Sequence, residues 1–242
     1  TFSMSEKTHV SGLYRFDHVA FDSKVPGVNA DYLFGGHSHE TGLRIGRSLT
    51  SRLSVGTGWD YQYSDLREGR QISNVNTVDA DVSYRAGRGT TVSGGAGASH
   101  LTIRDTGLST WGPALRASIE QRVGRGGLVG ARYERSFTPS YTVSGMNADQ
   151  SMGLNANVPV GRGRSYVTGS LSYGRTRPVK ELGFGFELDS VFTYAGVGYH
   201  LNRWLQAEAF FSEMHQTSTA LLDVNRTRIG IQFITGKPLR ID

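Results

Sequence analysis

The chain has no cysteine, six prolines, and only four lysines (Lys7, Lys24, Lys180 and Lys237) among its 26 basic residues. Without thiols there can be no disulfide scaffold, no cysteine-ligated zinc and no cysteine nucleophile. No apolar run approaches the roughly 20 residues that a spanning helix needs, which excludes a helical membrane protein. The segment from Thr1 to Lys7 has neither the basic nor the apolar part of a secretory signal. That leaves open a cytoplasmic chain, a processed form or a fragment.

The scarcity of lysine matters because a solubilising basic surface normally uses both cations. Arginine is favoured where a planar, permanently charged fork meets carboxylate or phosphate. A nucleic-acid reader gathers such residues into a patch or along a helix. Here they are spread along the chain at strand periodicity, so nucleic acid is not expected as a partner.

Alternation is the dominant signal. In residues 52 to 64, Leu53, Val55, Thr57, Trp59, Tyr61 and Tyr63 share one face, and Arg52, Ser54, Gly56, Gly58, Asp60, Gln62 and Ser64 share the other. Val78, Ala80, Val82 and Tyr84 oppose Asp79, Asp81, Ser83 and Arg85; Leu115, Ala117 and Ile119 oppose Arg116, Ser118, Glu120 and Arg122. The pattern returns at Met152, Leu154, Ala156 and Val158, and again at Thr227, Ile229, Ile231 and Phe233. A period of two residues means strands, and helical spacing fits none of these stretches.

Short turns separate alternate strands: Leu49-Thr50-Ser51, Gly87-Arg88-Gly89, Gly124-Arg125-Gly126, Gly161-Arg162-Gly163 and Leu201-Asn202-Arg203. Glycine or asparagine there can supply the positive φ of a tight hairpin. From Thr50 to Arg88, Arg125, Arg162 and Asn202 the steps are 38, 37, 37 and 40 residues, so the chain is a hairpin repeat. A propeller has a similar period but packs four short strands into it. Here each period holds two long strands and one long connection. The sequence predicts about twelve strands, near 8–20, 38–48, 52–64, 76–86, 90–104, 112–123, 127–137, 149–160, 164–176, 189–201, 203–214 and 225–235. Residues 10–21 can be phased either way, a bulge is expected near Ala98 to Leu101, and Phe210 falls on the polar face.

The polar face decides the architecture. It interleaves Arg, Asp and Glu with Gly, Ser, Thr and Asn, which suits a confined lumen better than an open lysine-rich surface. Strands of ten to thirteen residues match the roughly 9–11 tilted residues that cross a bilayer. Trp59, Tyr61, Tyr63, Trp111, Tyr133, Phe137, Tyr173 and Phe211 lie towards long connections, and Tyr84, Tyr199 and Trp204 towards short turns. Two aromatic girdles are expected of an outer-membrane barrel, and an even strand number leaves both termini periplasmic. The expectation is therefore an all-β, antiparallel, up-and-down transmembrane β-barrel: one domain over 1–242, with 235–242 a periplasmic tail, in the outer membrane of a Gram-negative bacterium.

The unit Gly42-Leu43-Arg44-Ile45-Gly46-Arg47-Ser48-Leu49-Thr50-Ser51-Arg52-Leu53-Ser54-Val55-Gly56 resembles the strand-turn-strand unit of the outer-membrane β-barrel porins associated with bacterial exopolysaccharide loci. The resemblance covers most of the chain and implies a passive channel or export pore for polar or anionic solutes, polysaccharide among them. Members of that family tend to have more strands. The residues Ile234 to Asp242 beyond Phe233 also depart from the usual aromatic barrel ending.

The expected pore lining is Arg44, Arg52, Asp60, Asp79, Asp81, Arg85, Arg116, Glu120, Arg122, Arg132, Glu134, Glu208, Arg226 and Arg228, with Arg15 and Asp17 as further candidates. Two readings stay open. These charges either set up a field favouring anionic or polar solutes, or pair across strands and fill a closed barrel that serves as a structural or partner-binding platform. His37, His39 and Glu40 form an H-x-H-E cluster with no third ligand, and no metal or cofactor is expected. A barrel enzyme would need His100 or His200 beside a serine or carboxylate; no catalytic residue is assigned. Gly95-Ala96-Gly97 and Gly196-Val197-Gly198 lack the helix of a phosphate loop and are expected to relieve crowding inside the barrel. Outer-membrane lipid and lipopolysaccharide, and envelope proteins, are the expected partners.

Overall fold

A computed structural model describes residues 2–3, 5, 7–20, 35–66, 71–124, 126–139, 146–161, 164–179, 187–202, 204–219 and 223–235. The tail from 236 onward, Arg125, Arg203 and the Arg162-Gly163 pair of the fourth turn lie outside the described residues. The strands are β1 (Phe2–Ser3), β2 (Thr8–Val19), β3 (Gly36–Ser48), β4 (Leu53–Leu66), β5 (Gln71–Arg85), β6 (Thr90–Ile103), β7 (Leu108–Val123), β8 (Gly127–Pro139), β9 (Met146–Val160), β10 (Ser165–Pro178), β11 (Leu188–His200), β12 (Leu205–Ser218) and β13 (Val224–Thr235). They form a single antiparallel sheet in chain order, twelve long strands and the two-residue β1. One continuous sheet excludes the propeller.

The long strands start and stop close to the expected positions, except that several reach further towards the long connections. β5 begins at Gln71 and β9 at Met146. Those extensions carry polar outward residues such as Asn74, so apolar alternation could not reveal them while the backbone ladder continues regardless. Turns use two devices. Gly124, Gly126 and Gly161 take φ of 58°, 102° and 63°. Gly87 and Gly89 of the second turn do not take the expected positive φ. At the first and fifth turns a side chain organises the backbone: Thr50 Oγ1 accepts from the amides of Arg52 and Leu53 at 3.1 and 3.0 Å. Asn202 Oδ1 accepts from those of Trp204 and Leu205 at 2.7 and 3.0 Å. Asn202 thus acts through its amide, in the manner of an Asx turn.

Residues from β2 to β8 line one cavity, with Arg15 at one end and Pro139 at the other, so the sheet curls towards its polar face. The convex face carries the exposed Leu43, Ile45, Trp59, Val78, Leu154, Leu171 and Val197. β2 resolves its ambiguous phase with Val10, Gly12, Tyr14 and Phe16 outward, paired with Ile45, Leu43, Thr41 and His39.

The expected bulge in β6 is absent. Its register with β5 runs unbroken from Arg85↔Thr91 to Ser73↔Ile103. Leu101 and Ile103 therefore stay on the concave face, where they pack with Val75, Met146 and Val179 into a small buried core that Leu108 and Phe137 flank. The change of pattern that suggested a bulge is an apolar plug. Phe137 likewise belongs to this cluster and not to the outer girdle.

One ladder does end early. β7 pairs with β8 only from Val123↔Gly127 to Leu115↔Arg135, although both strands continue. Alternate residues of an antiparallel strand address alternate neighbours. Arg122 donates to Gly89, on the β6 side, so the odd residues of β7 address β8. Pro113 is one of these and has no N–H to give, which leaves a seam above Leu115.

No pairing joins β2 to β13 among the described residues, and Ile229 on β13 is 82% exposed.

Candidate functional site

On the concave face, Asp79 and Asp81 of β5 lie between an arginine of β3 and one of β7. Arg44 donates to Asp81 at 3.0 Å and to Asp79 at 3.3 Å, and reaches Asp60 at 3.7 Å. Arg116 donates from one nitrogen to Asp79 at 2.7 Å and Asp81 at 2.9 Å. Each guanidinium crosses an intervening strand, which is possible only where that strand carries no side chain. A Cβ at Gly58 would stand 3.1 Å from Arg44 Nη2, and one at Gly95 would stand 2.7 Å from Arg116 Nε. The strand glycines therefore make room for the network, as expected for Gly95 and Gly97.

Above this network lies a cavity of about 520 Å³. Its walls include Arg15, Asp17, Glu40, Asp60, Gln62, Thr77, Asp79, Arg116, Glu134 and Ser136. Arg15 bridges Glu40 at 2.6 Å and Asp17 at 3.0 Å, so the two uncertain candidates belong to this face. Carboxylates outnumber guanidinium groups along the walls, a balance opposite in sign to an anion-favouring lining.

A second polar cluster, around Glu208, contains no arginine. This carboxylate is 4% exposed and accepts from Tyr166 at 2.7 Å, from Gln232 at 3.1 Å and from Tyr194. Gln232 also donates to the Tyr194 oxygen at 3.0 Å, and Phe210 stacks on the Tyr194 ring at 5.8 Å. The Tyr166 ring lies where a side chain on Gly198 would be. Tyr166, Tyr194 and Gln232 were not singled out from sequence, although their parity, opposite to Val167, Val197 and Ile231, places them on the polar face.

The other candidates are dispersed. Arg132 and Glu134 of β8 share the concave face with Arg116. Arg85, Glu120 and Arg122 lie at the short-turn ends of their strands, and Arg226 and Arg228 on the outermost strand β13. Arg52 is in the first short turn and not in a strand, because β4 begins at Leu53.

No protein-family model matches the chain, and neither does any curated protein. Solved structures do. A chain of the FpvAI–pyocin S2 complex aligns over 97% of this chain and 43% of its own length, at TM-score 0.56 and 9% identity. The siderophore receptor PirA from Acinetobacter baumannii aligns over 98% and 42%, at 0.55 and 11%. The ferric enterobactin receptor PfeA from Pseudomonas aeruginosa aligns over 96% and 43%, at 0.53 and 12%. The fold is that of bacterial outer-membrane receptor barrels. The chain spans less than half the length of the receptor-barrel chains it matches.

Within this receptor-barrel fold His37, His39 and His100 face outward, whereas His200 packs against the concave Tyr166 ring at 5.3 Å. His37 and His39 pack with Phe16 and Tyr63 at 4.9 to 6.4 Å. Glu40 points the other way, as a period of two dictates, so the H-x-H-E residues do not converge. His100 Nε2 lies 2.7 Å from Ser109 Oγ beside Trp111. That is the distance a hydrolytic pair needs, but among the described residues no acid or amide is hydrogen-bonded to the second nitrogen of His100 to orient it. The structural neighbours are receptors, not enzymes.

Proposed function

We propose that the chain forms, as one domain, the transmembrane wall of an outer-membrane transport barrel whose concave face conducts polar solutes. The observation that carries this is the apolar convex face and polar concave face that recur from strand to strand, with the plug around Leu101 and Ile103 as the exception. In a soluble sheet the apolar face is the one that packs against a core, whereas here it is the solvent-accessible one. Lipid tails satisfy that surface, and the hairpin ladder pairs the backbone of the strands between the two edges, β2 and β13. The charged and hydroxyl-bearing residues then line the path.

Export of polysaccharide is supported by the resemblance of the strand-turn-strand unit to exopolysaccharide-locus porins, and by a groove of carboxylates, hydroxyls and amides that can hydrogen-bond to sugar hydroxyls. Anion preference is not part of the proposal, given the carboxylate-rich walls. The alternative, a closed platform, is favoured by the Arg44–Asp79–Asp81–Arg116 network, which ties three strands together across the concave face.

Conductance in planar bilayers tests the reading. Folded protein is expected to give discrete current steps, with cations carrying at least as much current as anions. Folded, inserted protein that passes no current would leave the closed platform as the better account.

A further inference from the structure

We propose that His37 and His39 form a two-imidazole site for a divalent transition-metal ion, copper(II) above all, on the outward face of β3 at its long-connection end. The site lies apart from the concave face and does not depend on whether the barrel conducts.

A period of two puts both rings on one side of the strand, and there they meet, with centroids 5.5 Å apart and planes crossing at 83°. Two imidazoles bonded to one tetrahedral ion at about 2.0–2.1 Å have centroids about 5 Å apart, so the pair stands within about half an ångström of that separation. Neighbouring strands hold the rings in place. Phe16 of β2 lies 4.9 Å from His39 and 6.4 Å from His37. Tyr63 of β4 lies 6.3 and 6.2 Å from the same two rings. Flanked on both sides, the imidazoles have little rotamer freedom left to lose on binding. Tyr14 Oη stands 2.8 Å from His39 Nδ1. With the Nδ1 proton donated to that oxygen, Nε2 is left to ligate, and such a hydrogen bond is what orients a metal-binding histidine.

The donor set selects the ion. Among the described residues no third histidine or carboxylate converges on the pair, so water fills the remaining positions and the ion exchanges. Asp65, opposite His37 in the ladder, adds a favourable negative charge on the same face. Calcium and magnesium take oxygen ligands, whereas imidazole suits copper, nickel and zinc, with copper(II) the tightest of the divalent series. Water can reach the site. The next row along the strands is Tyr14, Thr41 and Tyr61, and the Tyr61 ring stacks on Trp59 at 6.4 Å. Amphipathic rings of this kind mark the membrane interface. In the membrane placement proposed above, the imidazoles therefore lie one row, or about 7 Å, to the water side of it.

The test adds copper(II) to the folded full chain in detergent, after treatment with EDTA and buffer exchange, and reads the electron paramagnetic resonance spectrum. One tight equivalent coupled to two nitrogens is expected. His37→Gln and His39→Gln are each expected to abolish it, and His215→Gln, on β12, to leave it unchanged. Tyr14→Phe should weaken binding about tenfold with the nitrogen count unchanged. Excess zinc(II) should compete for the site and calcium should not. Heat-modifiable gel migration checks that the variants fold; if either histidine variant does not, Tyr14→Phe carries the test. A nitrogen count other than two, full binding by either histidine variant or by Tyr14→Phe, or displacement of copper by calcium would each overturn the proposal. Conductance of the same protein separates the two readings. Protein that binds copper without passing current defeats only the transport reading, and protein that conducts without the copper signal defeats only the metal site.

Discussion

Removing Arg116 should harm the protein more than removing Asp79, although the two are partners. The concave network contains two guanidinium groups, Arg44 and Arg116, and three carboxylates, Asp60, Asp79 and Asp81. Arg116→Met leaves three carboxylates facing one guanidinium, with Asp79 only 8% exposed. Breaking a buried pair costs about 3–5 kcal/mol, and the 38% exposure of the Arg116 side chain puts the expectation near the lower bound, about 3 kcal/mol. Asp79→Asn loses two charge-assisted hydrogen bonds but leaves two guanidinium groups facing two carboxylates and relieves the repulsion with Asp81. Its net cost should be about 1–1.5 kcal/mol. The double variant should cost less than the sum, with a coupling of about 1–2 kcal/mol. Urea unfolding of protein refolded into vesicles, followed by the fluorescence of its three tryptophans, measures all three. The slope with denaturant should not change between variants. An Asp79→Asn variant as destabilised as Arg116→Met, or a coupling near zero, would refute the account of a charge-balanced network.

Three further expectations follow from the same geometry. Gly198→Leu forces the Tyr166 ring off its place against Glu208 and should lower stability by about 1–3 kcal/mol; an unchanged urea midpoint would show that the close packing is dispensable. Leu171→Arg, on the convex face, should destabilise by about 2–4 kcal/mol in vesicles, while Ser172→Arg on the concave face should be tolerated, and equal losses would undo the assignment of faces. Because the chain has no native cysteine, Gly12→Cys with Ile231→Cys reports directly on closure. No cross-link is expected within a monomer, and an efficient one would mean that β2 and β13 pair in the membrane.

Those unpaired edges carry a physical demand. A strand edge in hydrocarbon leaves amides and carbonyls without partners, so β2 and β13 must meet each other or other strands when the sheet sits in a bilayer. The receptor-barrel chains that it matches are more than twice as long.

The sequence by itself determined the strands, their order and the face of nearly every residue. Those properties are local: a period of two sets the face, and hairpin turns set the neighbour. Glycine or asparagine marked four of the five short turns for the same reason, while the side-chain device of Thr50 emerged only in the structure. Tertiary structure decided what depends on curvature and on strands that are not adjacent. It brought Arg44 of β3 and Arg116 of β7 onto the same aspartates of β5, a meeting that requires the sheet to curl and the intervening Gly58 and Gly95 to stay bare. It turned Leu101, Ile103 and Phe137 into a plug, where apolar periodicity alone pointed to a bulge and a girdle, because a residue on the lumen side can be apolar when partners from other strands cover it. It also gave Pro113 its consequence, since only the pairing pattern shows which neighbour its missing N–H would have served.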